Sequence, residues 1–195
     1  MQKIYYIFLS LITILTIFIT VFSVENSNYV FNYESEKYYW PTPNFYGISS
    51  YFGYREKPTN GATSFHKGID ILANQGSSVS TVDDGIIQFA GWDNSGGYMI
   101  TILHANNVKS SYAHLDPKLY VKKGDMVKKG DVIGMVGPKY VENGKLNGAT
   151  TGVHLHLGIS ISGNYINPLE LFLKKYGVNP YGNKKEEAKN KQKQA

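Results

Sequence analysis

Short apolar segments broken by turn residues occupy the middle of the chain. The pattern predicts strands at 79–82, 86–92, 98–104, 108–115 and 132–137, with turns at Asp83-Asp84-Gly85 and at 94–97 between them. Within 98–104, the side chains of alternate residues are predicted to face opposite sides of the strand. Regular spacing of this kind favours an antiparallel all-β sandwich or barrel.

The two ends of the chain differ from this middle part. Residues 4–23 are a continuous apolar run preceded only by Lys3 and the amino terminus, which predicts an N-terminal apolar helix that is a signal peptide or a signal anchor. We predict four segments: 1–24 for export, 25–45 as a linker, 46–176 as the folded domain and 177–195 as a disordered basic tail. Near its end, Asn167 and Pro168 predict the N-cap and first position of a short C-terminal helix that runs to Lys175.

The sequence Lys-Lys-Gly-Asp occurs twice, at 122–125 and at 128–131. Two copies are too few for a solenoid, and we predict two tight Gly-Asp turns at one end of a sheet. The same rhythm is similar to that of biotinyl and lipoyl carrier domains. The chain lacks their Met-Lys-Met sequence, which argues against a carrier.

Composition excludes several classes of function. The chain has no Cys, so disulfides, Cys-based zinc sites and a thiol nucleophile are excluded. The net charge is +5, but five Lys and two Glu in 184–195 account for +3 of it. The remainder is an ordinary surface charge, and we expect no nucleic-acid partner.

Histidine and carboxylate residues recur at spacings that suit a metal site. In the segment 152–158, Gly-Val-His-Leu-His-Leu-Gly, His154 and His156 are predicted to project from one face of a strand, with the two leucines facing a core. In the segment 66–70, His-Lys-Gly-Ile-Asp, an extended chain places His66 and Asp70 on one face. Gly68 between them leaves room for a close approach.

His66, Asp70 and His156 together would supply two nitrogens and one oxygen. This is the ligand set of a catalytic zinc site, whose fourth position stays open, rather than of a closed structural site. His154 and His114 have the ordinary pKa needed to take up a proton and to stabilise an oxyanion near neutrality.

Two further residues have simpler interpretations. His104 ends a predicted strand, and we predict a surface or rim histidine there. Arg55 could orient a carboxylate at the site, but we favour a structural ion pair in the fold.

Five separated motifs resemble the lysostaphin-type zinc endopeptidases of bacterial cell walls. The resemblance covers about 49–171, in unbroken motif order. The motifs are Ser-Tyr-Phe-Gly-Tyr-Arg at 50–55, His-Lys-Gly-Ile-Asp-Ile at 66–71, Val-Asp-Asp-Gly at 82–85, Tyr-Ala-His-Leu at 112–115 and Gly-Val-His-Leu-His-Leu at 152–157.

The resemblance implies that His66, Asp70 and His156 bind one zinc ion and that His114 and His154 assist catalysis. It also implies an all-β barrel-sandwich hybrid fold with a substrate groove. The expected reaction is cleavage of peptide bonds in the stem peptides or cross-bridges of peptidoglycan. The expected location is extracytoplasmic, membrane-anchored or secreted, with other cell-wall enzymes as further partners.

The chain departs from the family pattern at two places. Leu157 and Gly158 stand where an aromatic residue and Glu are usual, and the loop 138–151 is longer than usual. Both could change which bond is cut. A non-catalytic peptidoglycan-binding activator of another hydrolase is the alternative, but the presence of all five site residues favours an enzyme.

Overall fold

The computed structural model describes residues 37–173, which form twelve strands and little helix. The strands are β1 (Phe45–Ser50), β2 (Gly53–Tyr54), β3 (Phe65–His66), β4 (Gly68–Ala73), β5 (Ser78–Ser80), β6 (Gly85–Asp93), β7 (Gly97–His104), β8 (Val108–Ala113), β9 (Met126–Val127), β10 (Val132–Met135), β11 (Leu155–Ile161) and β12 (Asn164–Ile166). The helices are 3-10 turns at Ala105–Asn107 and Glu142–Gly144 and an α-helix at Leu169–Leu173.

The strands form one large antiparallel sheet and two small ones. The large sheet has eight strands in the order β1-β4-β11-β8-β7-β6-β9, with β12 also paired to β11. The small sheets are β5 with β10 and β2 with β3. The predicted antiparallel all-β fold is confirmed.

Strand β11 is central to the large sheet and positions the candidate site. Its Leu155 and Leu157 are fully buried in the core, as the alternation predicts. On the opposite face, His156 lies between Asp70 of β4 and Ala113 of β8 in the strand register. The apolar residues on one face therefore fix which residues meet on the other.

A single hydrophobic cluster joins the large sheet to the small β5–β10 sheet. It includes Ile71, Ile100 and Leu157 from the former and Val79 and Ile133 from the latter. Burial of these side chains is the main source of stability available to such a fold.

The described end of the predicted linker packs against the domain. Tyr38 and Trp40 are buried in the core cluster. The Trp40 ring packs edge-on against Phe172 of the C-terminal helix, with 5.0 Å between ring centroids. Large aromatic rings bury much apolar area, which explains why this segment docks although its sequence neighbours are polar.

The C-terminal helix begins as predicted. The Leu169 N–H donates to Asn167 Oδ1 at 3.2 Å, which is an N-cap contact. The predicted end at Lys175 lies outside the described residues.

Both Gly-Asp repeats form tight turns. Gly124 and Gly130 have φ of +93° and +85°, where glycine is favoured. In each turn the aspartate accepts a hydrogen bond from the first lysine N–H, Lys122 to Asp125 at 2.9 Å and Lys128 to Asp131 at 2.7 Å.

The predicted export segment 1–24 and the predicted tail 177–195 lie outside the described residues. Within 37–173, none of the helices has the length and apolar character needed to span a membrane.

Candidate metal and catalytic site

Three donor atoms from three strands converge at the face of the large sheet that lies opposite the leucines of β11. His66 Nε2 lies 3.1 Å from Asp70 Oδ1, and His156 Nδ1 lies 2.8 Å from the same oxygen. The two imidazole nitrogens are 3.0 Å apart. These three residues form a group that could hold a metal ion.

The separations suit a small cation with short bonds. Zinc ligands at about 2.0–2.1 Å in a tetrahedron lie about 3.3 Å from one another, close to the separations observed here. Two imidazole nitrogens and one carboxylate oxygen are also the donor types of a catalytic zinc site. The residues therefore fit zinc, both in chemistry and in spacing.

Gly68 makes the close approach of β4 and β11 possible. A Cβ atom at this position would lie 2.3 Å from the Leu157 carbonyl oxygen and 2.9 Å from His156 Nε2. Any side chain here would displace the His156 ring or separate the two strands. The prediction that Gly68 leaves room for a close contact is confirmed.

The main chain fixes the tautomer of His66. His66 Nδ1 lies 2.9 Å from the Tyr51 carbonyl oxygen. Because a carbonyl only accepts, Nδ1 carries the hydrogen. In the neutral ring the lone pair is therefore on Nε2, which faces the cluster, as a metal ligand must.

The Asp70 carboxylate is bound through both oxygens. Burial would raise its pKa, but hydrogen bonds with His154, His156 and His66 outweigh this effect and hold the pKa well below its usual range. Asp70 is therefore ionised at neutral pH and can serve as an oxygen donor.

Arg55 contacts the second oxygen of Asp70. Its Nη1 donates to Asp70 Oδ2 at 3.1 Å and also to the Ser50 hydroxyl. Arg55 therefore forms the predicted ion pair, and because its partner is Asp70, the pair also orients a carboxylate of the site, which is the interpretation that we did not favour. The loop between β2 and β3 returns the chain so that Arg55 meets a residue fifteen positions away.

His154 and His114 lie beside the donor cluster. His154 Nε2 is 3.5 Å from Asp70 Oδ1, and the His154 and His114 rings are 4.8 Å apart between centroids. Although His154 immediately precedes β11 rather than lying in it, both histidines of the His-x-His motif face the site.

Carbonyl oxygens fix the tautomers of these two histidines as well. His154 Nδ1 donates to the Gly152 carbonyl at 3.0 Å, and His114 Nδ1 donates to the Asn147 carbonyl at 2.7 Å. When each ring is neutral, its lone pair is therefore on Nε2.

The environment of His114 keeps its ring uncharged. Burial lowers the pKa of His114 to about 3, and the nearby His154 and His156 act in the same direction. At neutral pH the His114 ring is thus a neutral base.

His104 lies away from the site, and its environment differs from our prediction. Instead of a surface or rim position it is buried, with Nδ1 2.8 Å from the Asp84 carbonyl and Nε2 2.7 Å from Ser110 Oγ. The turn 105–107 brings β8 alongside the end of β7, so that Ser110 of β8 contacts the ring.

A groove with a volume of about 460 Å³ contains all five predicted site residues. Its walls also include Lys67 and Tyr165 on one side and Asp93 and Met99 on another. A groove is thus present at the predicted site residues, as expected.

Sequence reasoning missed the main-chain groups that orient the site histidines. The residue types of Tyr51, Asn147 and Gly152 do not indicate that their main-chain carbonyls bind the histidine rings. Of the three, only Asn147 has a side-chain amide, which in a loop rich in Gly and Asn is a candidate for hydrogen bonds to the main chain.

Two bacterial proteins illustrate the similarity in sequence. The DD-carboxypeptidase/endopeptidase Mpg of Neisseria meningitidis is 39% identical over 126 residues, which are 65% of this chain and 27% of that protein. The peptidoglycan DD-endopeptidase ShyC of Vibrio cholerae is 32% identical over 125 residues, 64% of this chain and 27% of that protein. The chain thus spans about a quarter of the length of these relatives.

The fold is similar to that of a solved antimicrobial peptidase. The catalytic domain of the antimicrobial peptidase lysostaphin from Staphylococcus simulans superposes with a TM-score of 0.55 and 31% identity, over 65% of this chain and 92% of that domain. The resemblance to lysostaphin-type enzymes is therefore confirmed in structure.

The family model for Peptidase family M23 matches residues 64–168, more than half of the chain. The matched range contains the three donor residues and both neighbouring histidines. This chain is a member of Peptidase family M23.

Proposed function

We propose that this protein is a zinc-dependent endopeptidase that cleaves peptide bonds in the stem peptides or cross-bridges of bacterial peptidoglycan. One observation carries the proposal: three metal-donor atoms and two further histidine rings, each with its Nδ1 bound to a carbonyl, converge in a single groove. A peptidoglycan-binding activator would need the groove but not this complete set of reactive groups.

His66 Nε2, Asp70 Oδ1 and His156 Nδ1 would hold the zinc ion. When bound there, zinc supplies Lewis acidity, which polarises a substrate carbonyl and makes water a stronger acid. The side-chain contact from Arg55 holds the Asp70 carboxylate in the orientation that this ligand set requires.

His154 and His114 would move the protons. Each Nε2 carries a lone pair and faces the groove, so each can accept the proton of the attacking water. The resulting imidazolium can then donate that proton to the leaving amine or a hydrogen bond to the oxyanion. The two neighbouring rings divide these roles between them.

The substrate and the location rest on the relatives and on the N-terminal sequence. A relative that matches this chain is named a peptidoglycan DD-endopeptidase. The apolar run at 4–23 would export the chain, as a cleaved signal peptide or as a membrane anchor, to the compartment that contains peptidoglycan.

The test is digestion of purified peptidoglycan by the full zinc-loaded chain, with and without a zinc chelator, followed by mass spectrometry of the released fragments. We expect new peptide termini that disappear with the chelator and reappear when zinc is restored. The masses identify the bond that is cut.

His156→Ala tests the ligand assignment, and His104→Gln is the matched control because His104 is a buried histidine outside the site. We expect zinc content to fall to background in His156→Ala only. Unchanged zinc content in that variant would contradict the proposed ligand set. A folded, zinc-loaded wild type that releases no fragments would favour an activator.

A further inference from the structure

Asn147 is a fully buried hydrogen-bonding residue at the end of the long loop 138–151. Its Oδ1 accepts from the Tyr98 N–H at 3.0 Å. Its Nδ2 donates to the carbonyls of Leu115 at 2.9 Å and Pro138 at 3.1 Å. The side-chain amide thus ties together the start of β7, the residue after His114 and the start of the loop.

The loop meets the β6–β7 hairpin without any space between them. A Cβ atom at Gly97 would lie 2.2 Å from Asn147 Oδ1, and one at Gly148 would lie 2.4 Å from the Gly97 nitrogen. Both glycines have positive φ, +67° and +79°. The main chain of Asn147 is therefore in direct van der Waals contact with the hairpin and has little room to move.

The main chain of His114 is held independently. His114 has a φ of +61°, which is uncommon for a residue other than glycine. Its N–H donates to the Gly96 carbonyl at 2.8 Å, and its carbonyl accepts from the Gly137 N–H at 2.9 Å. These bonds place the His114 Cα atom but do not select which ring nitrogen carries the hydrogen.

The ring of His114 is oriented by the Asn147 carbonyl, which accepts from Nδ1 at 2.7 Å. His154 differs, because its partner is the carbonyl of Gly152, two residues away on the same stretch of chain. The tautomer of His154 is thus fixed locally. The tautomer of His114 depends on a loop that is 33 residues distant in sequence.

We propose that Asn147 is a positioning residue for His114: its side-chain amide seats the loop so that its main-chain carbonyl fixes the Nδ1–H tautomer and directs His114 Nε2 into the groove. The catalytic consequence rests on the proposed peptidase function. The tautomer itself can be measured without any substrate.

The first experiment measures the ¹⁵N chemical shifts of the His114 ring in the full zinc-loaded chain, with His114→Gln used for assignment. We expect a protonated Nδ1 and an unprotonated Nε2. A wild-type ring protonated at Nε2 would overturn the proposal without the need for any Asn147 variant.

The second experiment compares Asn147→Asp with the control Asn107→Asp. Asn147→Asp preserves shape and the acceptor for the Tyr98 N–H, but it turns an oxygen toward the carbonyls of Leu115 and Pro138. Asn107 lies in an exposed turn and carries the same change of charge. Asn147→Ser, which stays neutral, serves as the test variant if Asn147→Asp does not fold.

In the folded Asn147 variant we expect loss of the single Nδ1–H tautomer of His114. Zinc content should be unchanged, kcat should fall about 10- to 100-fold and KM should stay within about twofold. The control should match wild type. A variant that retains the His114 shifts and kcat would overturn the proposal, and so would a loss of activity explained by lost zinc.

If wild type cleaves no peptidoglycan, only the proposed function fails. The nitrogen shifts of His114 in wild type and in the Asn147 variant would then decide the positioning role by themselves.

Discussion

In each histidine of the site, one ring nitrogen contacts a main-chain carbonyl or a carboxylate. This contact determines whether the other nitrogen can bind a metal or accept a proton. His66, His114 and His154 all donate from Nδ1 to carbonyls, so the lone pair of each ring in its neutral form is on Nε2. His156 instead presents Nδ1 to Asp70. A main-chain carbonyl fixes the tautomer of a neutral histidine without the need for a second side chain.

Arg55 gives the first prediction at this scale. Arg55→Gln removes the Nη1 donor to Asp70 Oδ2. We expect zinc affinity to fall about 10- to 100-fold, because partners of metal ligands contribute on this order. Competition with a chromogenic zinc chelator measures the change.

Arg55→Lys is the matched control, since it keeps the charge but loses the planar fork. We expect an intermediate zinc affinity. Equal affinity in wild type and Arg55→Gln would show that the contact does not support the metal site.

His104 gives a prediction about pH. Burial lowers the pKa of His104 below its ordinary value of 6.5, against the opposing effects of the Asp84 carbonyl and the charges of Asp83 and Asp84. Below pH 6.5 the unfolded chain binds a proton that the folded chain does not. The contribution of His104 to the free energy of unfolding therefore falls as pH falls from there toward its folded pKa.

Urea unfolding of zinc-loaded wild type and His104→Gln at pH 7.5 and pH 5 checks this sign. We expect the stability advantage of wild type over the variant to shrink at the lower pH. An advantage that grows on acidification would mean that His104 is protonated in the folded protein.

At the scale of elements, the site depends on how closely β4 approaches β11. The register places His156 opposite Asp70 and Gly158 opposite Gly68. Residues on the other face of β11, Leu155 and Leu157, are buried and fix that register. The metal site is thus a consequence of core packing as much as of its own donor atoms.

Gly68→Ala tests this approach. The added Cβ would lie 2.3 Å from a main-chain oxygen of β11, so the strands must separate. We expect a loss of about 1–3 kcal/mol in the free energy of unfolding, the range for overpacking, together with weaker zinc binding. Urea unfolding and zinc titration measure the two effects.

Gly47→Ala is the matched control in β1, because its Cβ would meet only Leu72 Cδ1 at an ordinary 3.8 Å. We expect it to resemble wild type. Similar behaviour of the two alanine variants would mean that β4 and β11 have more freedom than the structure indicates.

At the scale of the whole molecule, the proposed zinc ligands connect parts of the chain 90 residues apart. Zinc that binds the folded chain but not the unfolded chain raises the free energy of unfolding by mass action. The increase is about 2.7 kcal/mol when free zinc is 100 times Kd. We therefore expect Tm of the full chain to fall when zinc is removed by a chelator and to recover when zinc is restored.

The same chelation applied to His156→Ala is the control. We expect Tm of this variant to be insensitive to the chelator. An equal fall in both proteins would place the stabilising metal elsewhere in the chain.

Features of the chain that depend on near neighbours were predictable from sequence. The alternation of apolar residues predicts the strands, the Gly-Asp repeats predict two turns and Asn167 predicts a helix start. The His-x-His and His-x-x-x-Asp spacings predict which side chains share a face, because the pleat of a strand repeats every two residues.

Only the tertiary structure decided the contacts made between distant segments. It brought Arg55 into contact with Asp70, buried His104 beside Ser110 and packed Trp40 against Phe172. It also supplied the carbonyls of Tyr51 and Asn147 to the site histidines. Every residue has a carbonyl, so the sequence cannot mark the few that folding brings to an imidazole. The sequence by itself determined the strands, the reactive side chains and the faces they share, whereas their tautomers and supporting partners came from chain packing over long separations.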